Sequence, residues 1–206
     1  MDTLKEAIAH IQKRIDTVCK KVGRDPAEIT LLLATKTVEP ERILQAFASG
    51  YTLIGENKAQ ELCAKAAALA AVPHTTHFIG HLQSNKITDV LRYADCIQSI
   101  DRFGLAEKIE QKLVEQNRTM DILIQVNTSH EVSKSGCTPD EAPQLVTAVA
   151  KLPHLHIKGL MTIGALTDDA EKARDCFRCL KTLQKKNCRI RYRRCVSRYF
   201  INGDVR

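Results

Sequence analysis

Lys36 closes the apolar run LLLATKTV at residues 31–38, where a charge would otherwise be out of place. Leu32, Ala34 and Lys36 share one side of an extended chain, since side chains alternate along a strand. If that side faces a partly desolvated bowl, the neutral form of the amine gains ground. A neutral lysine amine is what a Schiff base with an aldehyde requires. On position alone, a lysine that snorkels into water is the commoner outcome. Other polar or small groups close apolar runs in the same way: Glu56-Asn57, Gly80-His81, Ser99-Asp101, Asn127-Thr128-Ser129 and Thr162-Gly164. Their order suggests no Ser/His/Asp hydrolase, and no clustered acids suggest a magnesium site. Cys176 and Cys179 form a C-x-x-C, with Cys188 and Cys195 beyond. The wide second spacing does not fit a zinc knuckle, and on a helix the first two cysteines are simply one turn apart. No metal is expected.

Residues with such spacing need a repeating frame to bring them together. The chain opens on Leu4, Ile8, Ile11, Ile15, Val18 and Val22, one apolar stripe of a helix stopped at Gly23. Six strand-then-helix units follow. The strands are predicted at Ile29–Thr35 and in YTLIGEN, THFIG, CIQSI, MDILIQVNTS and HIKGLMTIGA. The helices are predicted in EPERILQAFASG, KAQELCAKAAALAA, SNKITDVLRYA, RFGLAEKIEQKLVEQN, PDEAPQLVTAVAKL and DDAEKARDCFRCLKTLQKK. Strands rich in Ile, Leu and Val on both faces point to a parallel sheet covered by helices. No glycine fingerprint of a dinucleotide or P-loop site follows the first strand. The fold class expected is α/β, a (β/α)8 TIM-type barrel with six of its eight units legible and strands 7 and 8 incomplete. In such barrels the reactive residues sit at the carboxyl ends of strands.

Composition sets the surroundings. The chain has 206 residues, 44% of them hydrophobic and 27% charged, ordinary for one globular domain. No run approaches the roughly 20 apolar residues of a membrane span. The N-terminus lacks the layout of a signal peptide, and eight scattered cysteines suggest reduced thiols, so a cytoplasmic location is expected. The formal charge of +7 is local. Residues 185–206 hold eight Lys and Arg and one acid, and subtracting these from 31 and 24 leaves 23 of each sign elsewhere. A neutral body argues against nucleic acid as a partner.

LLLATKTV, IGENKAQEL, THFIGHLQSNK, SIDR, ILIQVNTSHEVSKSGC and GLMTIGA together resemble, in order and spacing, the pyridoxal phosphate homeostasis proteins (the YggS/PROSC-like group). The resemblance covers roughly residues 1–185. It implies a barrel like the N-terminal domain of alanine racemase, with pyridoxal 5′-phosphate held on a lysine after the first strand. By motif match that lysine is Lys36. It implies a role in vitamin B6 homeostasis without turnover, with pyridoxal-phosphate-dependent apoenzymes as candidate recipients. A monomer is expected.

Three further cofactor-binding positions follow from the same resemblance. Asn57 could hydrogen-bond ring substituents, or it could instead cap the next helix. His77 could line the ring, or be a satisfied core histidine. Met161 could pack on the pyridine face or simply fill the barrel. Lys134, in SKSG, lies near the same mouth and could receive the cofactor transiently, although a loop lysine is usually solvated.

The chain departs from the family after about residue 187. The resemblance implies two more strand-loop units, supplying a serine- and glycine-rich cup for the cofactor phosphate. Here residues 188–206 are a basic tail with five arginines between Arg189 and Arg198, a poor composition for a buried strand. One coding of IRYRRCVS, shifted by a nucleotide, reads as an apolar strand ending near a serine, so a frameshift is one account of the tail. A genuine divergent tail is the other. The domain reading is 1–187 for the barrel and 188–206 for the tail. Two alternative functions stand beside the first. One is a pyridoxal-phosphate-dependent enzyme such as an amino-acid racemase. The other is a cofactor-free binding module acting through the tail.

Overall fold

The computed structural model describes residues 3–187. The basic tail, on which the candidate frameshift and the missing phosphate cup are read, lies outside the described residues. Six parallel strands run in sequential order: β1 (Leu33–Ala34), β2 (Leu53–Glu56), β3 (Thr75–Phe78), β4 (Cys96–Ile100), β5 (Met120–Gln125) and β6 (Leu155–Met161). A leading helix α1 (Thr3–Lys21) precedes them. Then α2 (Pro40–Ala48), α3 (Ala59–Leu69), α4 (Ile87–Tyr93), α5 (Phe103–Gln116), α6 (Ala142–Val149) and α7 (Ala170–Asn187) each follow one strand. Sequential strand order with a helix at every crossover is barrel connectivity; a doubly wound sheet would reverse order part-way.

The register divides the sheet into two faces. Ala34, Gly55, His77 and Cys96 are paired across β1 to β4 and share the inner face. Ile54 with Thr76, Glu56 with Phe78, and Ile97 with Ile122 share the outer face beneath the helices. The large core lies on that outer side, with Phe78, Ile97, Ile122 and Ile124 packed against Leu91, Leu105, Ile109 and Val146. A smaller inner cluster joins Cys96, Leu123 and Met161.

Three local expectations shift. The first strand was expected over Ile29–Thr35, yet only Leu33–Ala34 is in the ladder. Among the described residues β1 pairs with β2 alone, so the residues before it have no strand to bond; pairing does persist to Thr35 N–H, which donates to Gly55 O at 2.9 Å. On α1 the buried positions are Ile8 and Cys19, while Val18 and Val22 are exposed. Val18 stands about 80° round the helix from Ile8, off the buried side. The fourth helix begins at Ile87, after a 3-10 turn at Ser84–Lys86. The predicted stop at Gly50 holds: it takes φ 88, and Tyr51 N–H bonds Ala46 O at 3.1 Å, closing α2 in the way glycine permits.

Candidate functional site

The chain leaves β1 through a tight turn at Thr35–Val38, closed by Val38 N–H donating to Thr35 O at 3.0 Å. Lys36 is the first corner of this turn and is half-buried. Ala34, the last residue of β1, is on the inner face, and Thr35 after it is buried. Lys36 Nζ makes no hydrogen bond or ion pair among the described residues. Two other lysines that could compete for an aldehyde, Lys134 and Lys86, are engaged. Lys134 Nζ donates to Glu131 Oε1 at 2.8 Å and to Gly164 O at 2.6 Å, and Lys86 pairs with Asp89 at 3.7 Å. Lys134 is therefore a tie between the β5 and β6 loops, not a solvated loop lysine.

Thr37, the second corner, has φ 60. A β-branched residue in the left-handed region is strained, and such strain persists only where the surroundings over-determine it. Here they do. Thr37 N–H donates to Glu61 Oε2 at 2.7 Å, and Thr37 Oγ1 donates to Lys36 O at 2.6 Å. Glu61 belongs to α3 and is joined one turn on by Lys65, whose Nζ reaches Glu61 Oε2 at 3.3 Å, Glu56 Oε1 at 2.8 Å and Thr35 O at 2.7 Å. Thr35 Oγ1 completes the group by donating to Glu56 Oε1 at 2.5 Å. The backbone donor of Thr37, helped by Lys65, holds the Glu61 carboxyl below its ordinary range. A buried ion pair thus clamps the turn from behind, and among the described residues Lys36 Nζ stays unpaired.

Asn57 follows β2. The N-cap of α3 is Lys58, and no side chain caps that helix. The capping account of Asn57 therefore fails, and its Oδ1 is buried without a hydrogen-bond partner. A native polar atom in that state calls for a ligand or a water. Gly80 lets the β2 and β3 ends approach this closely: a Cβ there would sit 1.9 Å from Asn57 O.

His77 is 5% exposed on the inner face, with Gln98 Nε2 against its Nδ1. It is a paired core histidine on the inner face. Met161 is 1% exposed and packs with Cys96 and Leu123, which is barrel filling on the inner surface. Lys36 and Asn57 follow β1 and β2, Met161 ends β6, and His77 lies one residue before the end of β3. Cys176 donates from Sγ to Thr128 O at 3.5 Å, and among the described residues no three His, Cys, Asp or Glu cluster as metal ligands. No helix among them is long and apolar enough to cross a membrane.

Two features escaped the sequence reading. Gln98 is wholly buried, with Oε1 unpartnered, and its signal was an amide amid the apolar CIQSI. The Glu56–Lys65–Glu61 group was announced by a carboxylate ending an apolar strand and by a Glu and a Lys four apart on the next helix.

The alanine racemase N-terminal domain model matches residues 7–197. A pyridoxal phosphate homeostasis protein of Pseudomonas aeruginosa is 37% identical over 183 residues, covering 89% of this chain and 80% of the relative. The protein of that name from Escherichia coli is 36% identical over 168 residues, 80% of this chain and 72% of its own. The chain belongs to the pyridoxal phosphate homeostasis protein family. A crystal structure of an unknown protein from Bifidobacterium adolescentis superimposes with TM-score 0.84 at 37% identity, covering 88% of this chain and 78% of that one. PipY of Synechococcus elongatus with pyridoxal phosphate bound gives 0.74 at 27%, covering 85% and 82%. Alanine racemase of Clostridium difficile gives 0.71 at 12% identity, covering 82% and 45%, and establishes the shared fold. The family's fold is thus the alanine racemase N-terminal barrel, of which the described residues make six strand-helix units.

Proposed function

We propose that this protein binds pyridoxal 5′-phosphate at the mouth of the barrel, anchors it covalently through Lys36, and serves cofactor homeostasis without substrate turnover of its own. The observation that carries this reading is the Lys36 amine: half-buried, without a hydrogen bond or ion pair among the described residues, and placed on a turn fixed from behind. The residues around it suit the group. Asn57 Oδ1 is an open acceptor for a polar ring substituent, and Met161, Leu123 and Cys96 offer an apolar surface. When bound, the cofactor supplies an aldehyde that a lysine amine can hold with loss of water. Lys36 provides that amine, Asn57 and His77 orient, and the inner cluster excludes water from one side.

Support comes from kinship as well: PipY, at 27% identity, has a solved structure with pyridoxal phosphate bound. Delivery to apoenzymes is the homeostatic half of the proposal and follows from reversible attachment at an accessible mouth. A visible absorption band on mixing the protein with pyridoxal phosphate, absent in Lys36→Ala, tests the binding half. Release of α-deuterium from labelled L-alanine by the loaded protein would overturn the absence of turnover.

A further inference from the structure

The two peptide units that flank the Cα of Lys36 are both held by α3. The carbonyl of the first, Thr35 O, accepts from Lys65 Nζ at 2.7 Å, and the N–H of the second, at Thr37, donates to Glu61 Oε2 at 2.7 Å. Lys65 stands one turn after Glu61 and is joined to it at 3.3 Å, so one helix supplies both holds. A peptide unit is planar, so fixing the planes on either side of a Cα fixes its φ and ψ. The direction of the Cα–Cβ bond is fixed with them. The backbone of Lys36 is thus set from outside the turn.

Thr37 shows that the hold is needed. Its φ of 60 lies in the left-handed region, which a β-branched residue disfavours, and its hydroxyl donates to Lys36 O, inside the turn. Among the described residues, its one hydrogen bond to another element is the N–H to Glu61. Glu61 in turn is engaged within the clamp: Oε2 takes Thr37 and Lys65, and Oε1 faces Lys58 at 3.7 Å. It acts through the turn.

We propose that Glu61 is a positioning residue for covalent attachment of the cofactor, holding the Lys36–Thr37 peptide unit so that the lysine meets the aldehyde from one direction. This rests on the reading of Lys36 as the cofactor anchor. In the attachment step Nζ of the neutral amine bonds the aldehyde carbon and C=N replaces C=O. The two amine hydrogens leave with the oxygen as water. Backbone freedom that Lys36 lacks in the free protein is not lost again when that bond forms. Without Glu61, Thr37 relaxes to an ordinary φ and the direction of Lys36 is no longer held. Glu61 therefore favours the covalent bond and leaves recognition of the ring and phosphate to other residues.

The test compares pyridoxal 5′-phosphate, followed by its visible band, with 4′-deoxypyridoxine 5′-phosphate, which has no aldehyde, followed by calorimetry. It uses full-length wild type, Glu61→Ala, Glu61→Gln and the double variant Glu61→Ala/Thr37→Asn. The ratio of the two affinities should fall about 10-fold in Glu61→Ala, the scale of one released backbone strain. Glu61→Gln keeps a neutral acceptor, so its ratio should fall less, and it carries the comparison if the alanine variant does not fold. Asparagine takes the left-handed region more readily than threonine, so the double variant should regain most of the ratio. In cofactor-free protein the Thr37 amide should exchange with deuterium about 10-fold or more faster in Glu61→Ala than in wild type. A ratio that the Glu61 variants leave unchanged, because both affinities fall together or neither does, overturns the positioning role. So does a lost ratio that Thr37→Asn fails to restore, or equal exchange at Thr37. A wild type with no visible band, or a band that survives Lys36→Ala, overturns the anchor reading itself, and this proposal with it.

Discussion

The carboxylate of Glu61, on α3, accepts a 2.7 Å hydrogen bond from the backbone N–H of Thr37, the residue after Lys36. One helix thereby holds a strained corner on a neighbouring turn, and the lysine one residue before that corner is presented rather than left to wander. That division of labour explains why Lys36 ends an apolar run: the run delivers it, and the residues behind it fix it.

The Glu61 carboxyl is held below its ordinary value near 4.5, chiefly by the Thr37 N–H. A depressed folded-state pKa contributes stability that is fully present above the unfolded value and lost as pH falls through the folded one. Wild type should therefore lose stability on acidification below about pH 4.5 more steeply than Glu61→Gln. Urea midpoints from pH 7 to pH 3 measure this. Parallel curves would show that the bond does not distinguish the charged form.

Lys65→Met should cost about 3–5 kcal/mol, because it strands Glu56 as a buried charge. Adding Glu56→Gln should restore part of that loss, since the second change removes the stranded charge. Equilibrium denaturation of the two single variants and the double variant gives the coupling; strict additivity would mean that the pair is not a unit.

Gly80→Ala and Gly104→Ala form a matched pair. At Gly80 the new methyl meets the Asn57 backbone, and a loss of about 2 kcal/mol or more is expected. At Gly104, in α5, nothing lies within 4 Å, and alanine should stabilise by roughly 0.5–1 kcal/mol. Thermal melts of both decide it, and equal effects would contradict the close approach of the β2 and β3 ends.

Burial pushes the Cys137 thiol up to about 12. At pH 8 about one in 10⁴ of these thiols is ionised, so iodoacetamide should spare Cys137 in the native protein and label it in urea. Rapid native labelling, read by peptide mass, would show that the β5 loop opens readily.

Much of this molecule was legible in its sequence, and the reasons are specific. Strand-helix alternation and apolar runs gave the six units, because those patterns are local. Gly50 marked a helix end because its φ is one that few other residues take readily. Motif order pointed to Lys36 and to the family. The clamp behind Lys36 was not legible, since Thr35, Glu56 and Lys65 meet only when two strands and a helix have packed. The account of Asn57 needed the same information: only the identity of the true N-cap, Lys58, shows that its amide is not spent on α3. On α1, seven-residue spacing placed Val18 in the stripe, and only its exposure in the packed structure, with Ile8 and Cys19 buried, showed it to be outside.

The covalent anchor is the central claim, and one measurement bears on it most directly. Full-length protein is mixed with pyridoxal 5′-phosphate, reduced with borohydride, digested, and the pyridoxyl adduct located by mass spectrometry. The account predicts the adduct on Lys36, with Lys36→Ala unlabelled under the same conditions. An adduct found mainly on Lys134 or Lys86, or labelling undiminished in Lys36→Ala, would contradict it.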